Sequence, residues 1–198
     1  QNNNILPISK NIKSILVAGE HGHDLGYQCG GWSISWQGGS GNTTIGTTIL
    51  DGIRDNIGNQ SSVSFSKNGD EPNDHDIIIA VVGETPYAEM KGDSESLELS
   101  NKDKLLLERL IKTGKPIVLI LISGRPMIIT PYLEHVDAVL AAWLPGTEGS
   151  GVADLLFGDV SPTAKLSFSW PRDMSQIPIN YGDKTYDPLF PLGYGLTY

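Results

Sequence analysis

Cysteine is almost missing from this chain: Cys29 stands alone, so no internal disulfide can form and the redox compartment is left open. Basic residues are also scarce, with 14 Lys and Arg against 23 Asp and Glu, a formal charge of −9 and no basic cluster. Nucleic acid is therefore not expected as a partner. No run approaches the ~18 consecutive apolar residues of a membrane-spanning helix, so a membrane is not expected either. The opening stretch QNNNILPISK lacks the charged-then-apolar pattern of a signal peptide. A P-loop and a G-x-S-x-G elbow are both missing, which removes phosphate cradling and serine-hydrolase chemistry from the leading readings. Gly39-Ser40-Gly41 has part of a dinucleotide fingerprint, but it lacks the third glycine at residue 44 and does not directly follow a strand. His21 and His23, with only Asp24 beside them, make a poor zinc set, so neither a metal nor a cofactor is expected.

What is present is enough for one sizeable core: 198 residues with 39% hydrophobic content suggest one large domain rather than two small ones. Strand-like runs at Ser14–Ala18, Val63–Ser66, Asp76–Val82, Pro116–Ile122 and Ala138–Ala142 alternate with helix-like runs at Thr43–Ile57, Ser100–Thr113 and Thr147–Phe157. The alternation predicts an α/β fold, a mostly parallel sheet sandwiched by helices in the manner of flavodoxin. Ile45, Ile49, Ile53 and Ile57 give the first helix one apolar stripe. Ser100 and Asp103 have capping-box spacing, and Gly114 before Pro116 closes the second helix. Two stretches show no period: Gly19–Asn42, too apolar for a disordered tail, and the Pro-, Gly- and Tyr-rich tail from Trp170 to Tyr198, expected to lie across the domain or against a neighbour. Asn42-Thr43-Thr44 and Asn59-Gln60-Ser61 fit the N-glycosylation pattern, which is short enough to arise by chance.

Candidate chemistry gathers where buried parallel strands end, since ligands of open α/β sheets bind at the carboxyl ends of strands. The strand DIIIAVV is followed by GETPYAEMKGD, which carries Glu84, Glu89, Lys91 and Asp93. Carboxylates there serve as general acids when burial raises their pKa, or as nucleophiles when they stay ionised. The plainer alternative is a charged surface loop with Lys91 paired to an acidic neighbour. Trp32 and Trp36 lie in GYQCGGWSISWQGGSG, where flat aromatic faces suit sugars, although a tryptophan is also common core material. Ser123–Pro126 and Leu144–Gly149 follow two further strands and should open on the same edge. There Arg125 can hold loops together by pairing with a carboxylate. From the residues alone, the reading stops at a flavodoxin-like domain with a ligand site on that edge and no phosphate-cradling loop.

Taken in order, GYQCGGWSISWQG, GTTIL, VVGETPYAEMKGD, LISGRP, AAWLPGTEGSGVADLLFGD and YDPLFPLGYGLTY resemble the second domain of glycoside hydrolase family 3, in its β-glucosidase and exo-β-glucanase branch. The resemblance covers essentially the whole chain. It implies that residues 1–12 are a remnant of an interdomain linker and that 13–198, including the tail 170–198, form a single α/β sandwich domain. By the same resemblance Glu89 is the acid/base and Trp36 one wall of the sugar clamp, with Trp32 beside it and Glu84, Lys91, Asp93 and Arg125 as loop supports. A preceding barrel domain would carry the nucleophilic Asp, so the isolated chain is expected to be inactive. The implied substrates are β-glucosides or β-glucan oligosaccharides, the implied partner is that barrel domain, and the implied location is secreted or periplasmic. The nearby carboxylate of the first domain and the apolar tryptophan are expected to raise the pKa of Glu89. A carbohydrate-binding or docking module, using Trp32 and Trp36 without catalysis, is the competing reading.

Overall fold

The computed structural model describes residues 1–58 and 60–198, so Asn59, the acceptor of the second glycosylation triplet, lies outside the described residues. Five strands, β1 (Ser14–Ala18), β2 (Ser62–Ser66), β3 (Ile77–Gly83), β4 (Ile117–Ile122) and β5 (Ala138–Trp143), form one sheet in the order β2-β1-β3-β4-β5. Every pairing is parallel. The helices are α1 (Leu25–Cys29), α2 (Ile49–Asn56), α3 (Asn101–Ile111) and α4 (Gly149–Phe157). The β3 sequence IIIAVVG and the β4 sequence IVLILI are buried at every position, as parallel strands covered on both faces must be.

Alternation along the strands divides the core into two layers. Ile15, Val17, Ile79, Val81 and Ile120 face α2 and α4, whereas Leu16, Ile78, Ala80 and Leu119 face α3 and the tail residue Trp170. Among the described residues no helix is long and apolar enough to cross a membrane.

The helix caps explain where the helices begin. Ser100 Oγ accepts the Asp103 N–H at 3.1 Å, so α3 begins where its capping spacing requires. The first long helix does not begin at Thr43. Thr48 Oγ1 caps it by accepting the Asp51 N–H at 3.2 Å, and Ile45, at the head of the expected stripe, is 96% exposed. Residues before the cap are held elsewhere: Thr47 N–H donates to the Thr147 carbonyl, and Gly149 N–H donates to the Thr47 carbonyl. That stitch also delays α4 to Gly149.

The aperiodic segment after β1 is folded around Asp24. Its carboxylate caps α1 through the Tyr27 N–H at 2.9 Å and accepts from Ser40 Oγ and the Gly41 N–H, tying both ends of the loop to one side chain. The tail lies across the domain. Trp170 is 2% exposed, donates from its indole to the Met127 carbonyl at 2.8 Å, and packs 5.8 Å from the Trp143 ring.

At the β5 edge, Asn2 bridges Ala138 in antiparallel sense and the Val139 N–H donates to the Gln1 carbonyl at 2.9 Å. Ile8 is buried, its N–H bonded to the Leu156 carbonyl, so the first residues pack on the domain. Beyond Gln1 the strand runs beside a largely apolar cavity of about 370 Å³ lined by Leu140, Ala141, Trp143, Val160, Leu166 and Tyr194.

Candidate active site

Because β1 and β3 are neighbours in the sheet while the chain leaves them for opposite sides, to β2 and to β4, their carboxyl ends form the switch point of the fold. The loops that follow them meet there, backbone against backbone. A Cβ built on Gly31 would lie 1.9 Å from the Tyr87 carbonyl oxygen, and one on Gly38 would lie 2.6 Å from Pro86 Cβ. Glycine is what lets the two loops approach this closely.

At this junction Trp36 Nε1 donates to Glu89 Oε2 at 2.7 Å. The neighbouring Gln37 side chain accepts the Ala88 N–H at 2.9 Å and donates to the Glu89 carbonyl at 3.2 Å. Trp32 stands beside Trp36, with ring centroids 6.3 Å apart and planes at 49°. The two rings are 69% and 45% exposed, so neither is core. Trp32, Ile34 and Met90 have φ of 60°, 67° and 70°. A β-branched residue in the left-handed region is an outlier, and such residues each cost about 1–3 kcal/mol, a strain concentrated in loops that bind or react.

The Trp36 indole, by donating to the charged carboxylate, holds Glu89 below the usual carboxylate range. This is opposite to the expected effect of an apolar tryptophan. Desolvation of the carboxyl group is outweighed in this chain, because the indole N–H stabilises the ionised form.

A second cluster braces the loop from the far side. Arg125 Nε donates to Glu84 Oε1 at 2.8 Å, a terminal guanidinium nitrogen donates to the Gly92 carbonyl at 2.8 Å, and the guanidinium stacks 4.7 Å above the Tyr87 ring. Tyr87 in turn donates to Glu84 Oε2 at 2.9 Å. Burial, and then the Glu84 charge, push the Tyr87 hydroxyl up to about 12. Arg125 thus grips the entrance, middle and exit of the Glu89 loop, and the Glu84 carboxylate is committed to that grip. Lys91 and Asp93, expected as supports, act differently: their side chains are exposed, and the turn is closed by their backbone N–H groups, which donate to the Glu89 and Met90 carbonyls.

The two histidines diverge. His21 is buried under the site with Nε2 3.1 Å from the Glu84 carbonyl, and burial lowers its pKa. His23 Nδ1 lies 2.9 Å from Thr48 Oγ1. Gln37 and Tyr87 are the residues that reading by residue type misses. Adjacency to Trp36 and to the acidic loop was the only signal for either.

The arrangement presents one exposed carboxylate beside two exposed indole faces, positioned by two loops of a rigid sheet. It can take or give a proton beside an exposed aromatic surface.

Known proteins share this chain's sequence and fold from end to end. Residues 1–198 match the family model described as the glycosyl hydrolase family 3 C-terminal domain. A lysosomal beta glucosidase of Dictyostelium discoideum is 36% identical over 99% of this chain and 27% of its own length. A beta-xylosidase of Formosa agariphila is 34% identical over 99% of this chain and 31% of its own. The crystal structure of an exo-1,3/1,4-beta-glucanase from a Pseudoalteromonas species superposes with a TM-score of 0.91 and 40% identity, covering 100% of this chain and 26% of that one. The chain therefore spans about a third or less of the length of these relatives.

Proposed function

The chain belongs to glycoside hydrolase family 3, whose C-terminal domain it forms, and from that premise we propose that it supplies Glu89 as general acid/base to a retaining β-glucosidase or exo-β-glucanase site. The other half of the site, a nucleophilic Asp, would come from a preceding barrel domain. The observation that carries this reading is the 2.7 Å bond from the Trp36 indole to an exposed Glu89 carboxylate at the switch point of the sheet.

A retaining glycosidase uses two carboxyl groups about 5–5.5 Å apart: one attacks the anomeric carbon, and the other protonates the departing oxygen and then deprotonates water. Glu84 of the same loop is held by Arg125 and Tyr87, whereas Glu89 is exposed beside the two tryptophans, its carboxylate bonded to the Trp36 indole. In this chain Trp36 favours the ionised form of Glu89, the state needed for the base step. Approach of an ionised nucleophile and exclusion of water by a second domain both disfavour that charge, which raises the pKa and supplies the protonated form for the acid step. Trp36 and Trp32 would form the wall against which the leaving-group sugar of a β-glucoside or β-glucan oligosaccharide stacks. A secreted or periplasmic location is the reading that the names of a lysosomal and a periplasmic beta-glucosidase among its relatives support.

The test is Glu89→Gln in the full-length protein. Loss of the acid should lower kcat/KM for phenyl β-glucoside by about 10²–10⁴-fold, spare dinitrophenyl β-glucoside, and abolish the alkaline limb of the pH profile. Equal loss on both substrates would sink the acid role. Hydrolysis by the 198-residue chain alone, abolished by the same change, would sink the shared site. Oligosaccharide binding by a full-length protein that lacks a nucleophile would favour the binding-module reading.

A further inference from the structure

The Glu89 loop is secured at both ends by Arg125, but its apex is secured from the opposite loop by Gln37. The Gln37 amide bonds bracket the backbone between the Ala88 N–H and the Glu89 carbonyl. Between those two points lie the dihedral angles that set the direction in which the Glu89 side chain leaves the chain. Ala88 is buried, so its N–H needs a fixed partner. The next residue, Met90, has a φ of 70°, a conformation that persists only where surrounding contacts over-determine it. Trp36, covalently joined to Gln37, holds the carboxylate itself. Two consecutive residues therefore fix Glu89 at its carboxylate, at its carbonyl and at the N–H that precedes it.

We propose that Gln37 is a positioning residue for the chemistry of Glu89: its amide registers the Ala88–Glu89 backbone so that carboxylate and indole face the leaving group as one unit. The proposal rests on the reading of Glu89 as acid/base. It adds that the aim of this carboxylate is set from the loop after β1, through a side chain that touches neither substrate nor reacting atoms. The Arg125 grip on Glu84 and Gly92 is independent of Gln37. Removing the amide should therefore let the apex rotate while the loop stays folded.

The experiment compares Gln37→Met and Glu89→Gln in the full-length enzyme by kcat/KM on phenyl and dinitrophenyl β-glucosides, with thermal melting as a fold control. Misplacing a catalytic group by about 1 Å can cost about 10²-fold. Gln37→Met should accordingly lose about 10- to 100-fold on the phenyl substrate, which needs the proton, and about twofold or less on the dinitrophenyl substrate. A merely structural Gln37 would lower both rates together, or only the melting temperature, and either result overturns the proposal. If Glu89→Gln shows the leaving-group dependence and Gln37→Met does not, the positioning role fails and the acid role stands. If Glu89→Gln shows none, the acid role fails and takes the proposal with it. Gln37→Ala, which adds no bulk, carries the same prediction should the methionine variant not fold.

Discussion

Replacing Gly31 with alanine puts a methyl group where the two loops of the site touch. The new Cβ would lie 1.9 Å from the Tyr87 carbonyl oxygen and 2.6 Å from its carbon. Both are backbone atoms, so no rotamer change relieves the clash. Restoring even the 3.0 Å minimum seen for real Cβ contacts parts the loops by about 1.1 Å. Rigid separation by that amount carries the 2.7 Å Trp36–Glu89 bond and the 2.9 Å Gln37–Ala88 bond to nearly 4 Å, beyond hydrogen-bonding range. Glu89 would be misaimed and lose its indole partner, and the expected loss in kcat/KM on phenyl β-glucoside is about 10²-fold. The sheet is not involved, so the melting temperature should fall only by the cost of the stranded Ala88 N–H, about 1–3 kcal/mol or about 3–10 °C. Gly151→Ala is the control: its Cβ meets nothing within 4 Å, it lies in α4, and alanine there should stabilise by about 0.5–1 kcal/mol with activity unchanged. The assay is steady-state hydrolysis by the full-length protein, with melting followed by circular dichroism. Activity of Gly31→Ala within about threefold of the parent would refute the reasoning, because it would mean that the contact does not set the aim of Glu89.

Trp36→Phe keeps the aromatic face but removes the indole N–H that depresses the Glu89 pKa. The Glu89 carboxyl should titrate closer to the ordinary 4.5 in an NMR titration of this chain, and in the full-length enzyme the alkaline limb should move to higher pH; a downward move of either would contradict the assigned cause. Trp170→Ala empties a site that is 2% exposed and strands the Met127 carbonyl. It should cost about 3–5 kcal/mol and lower the melting temperature of a domain this size by about 10 °C, and a fall of only a degree or two would show that the tail is not part of the core.

The sheet was legible because β3 and β4 are short, unbroken apolar runs rich in Ile and Val, a length and composition that suit a doubly covered parallel strand better than a buried helix. The start of α3 was legible because Ser100 and Asp103 are a local signal. The start of α2 was not. Ile45 stands four residues before Ile49, as a helical stripe requires, but the Thr47 bonds to Thr147 and Gly149 are contacts between residues about 100 apart, and they fix the boundary. The loop after β1 was readable only as irregular for the same reason: Gln28 orders it by donating to the Thr47 and Gly146 carbonyls and accepting the Ile49 N–H. In the site, residue type pointed to four ionisable side chains and two tryptophans, and the family resemblance singled out Glu89 and Trp36, but neither gave the sign of their interaction. Whether an indole desolvates a carboxylate or donates to it depends on ring orientation, which no spacing encodes.

The edge of β5 has a consequence for handling the protein. Gln1 and Asn2 cover only the start of that strand, and from Leu140 to Trp143 it runs beside an apolar trough. A strand edge flanked by greasy walls is a template for any extended peptide that drifts into it, including the matching strand of another copy. In a concentrated solution of this polypeptide, self-association should begin there, while the carboxyl ends of β1 and β3, with Glu89 and Trp36, remain free to be assayed.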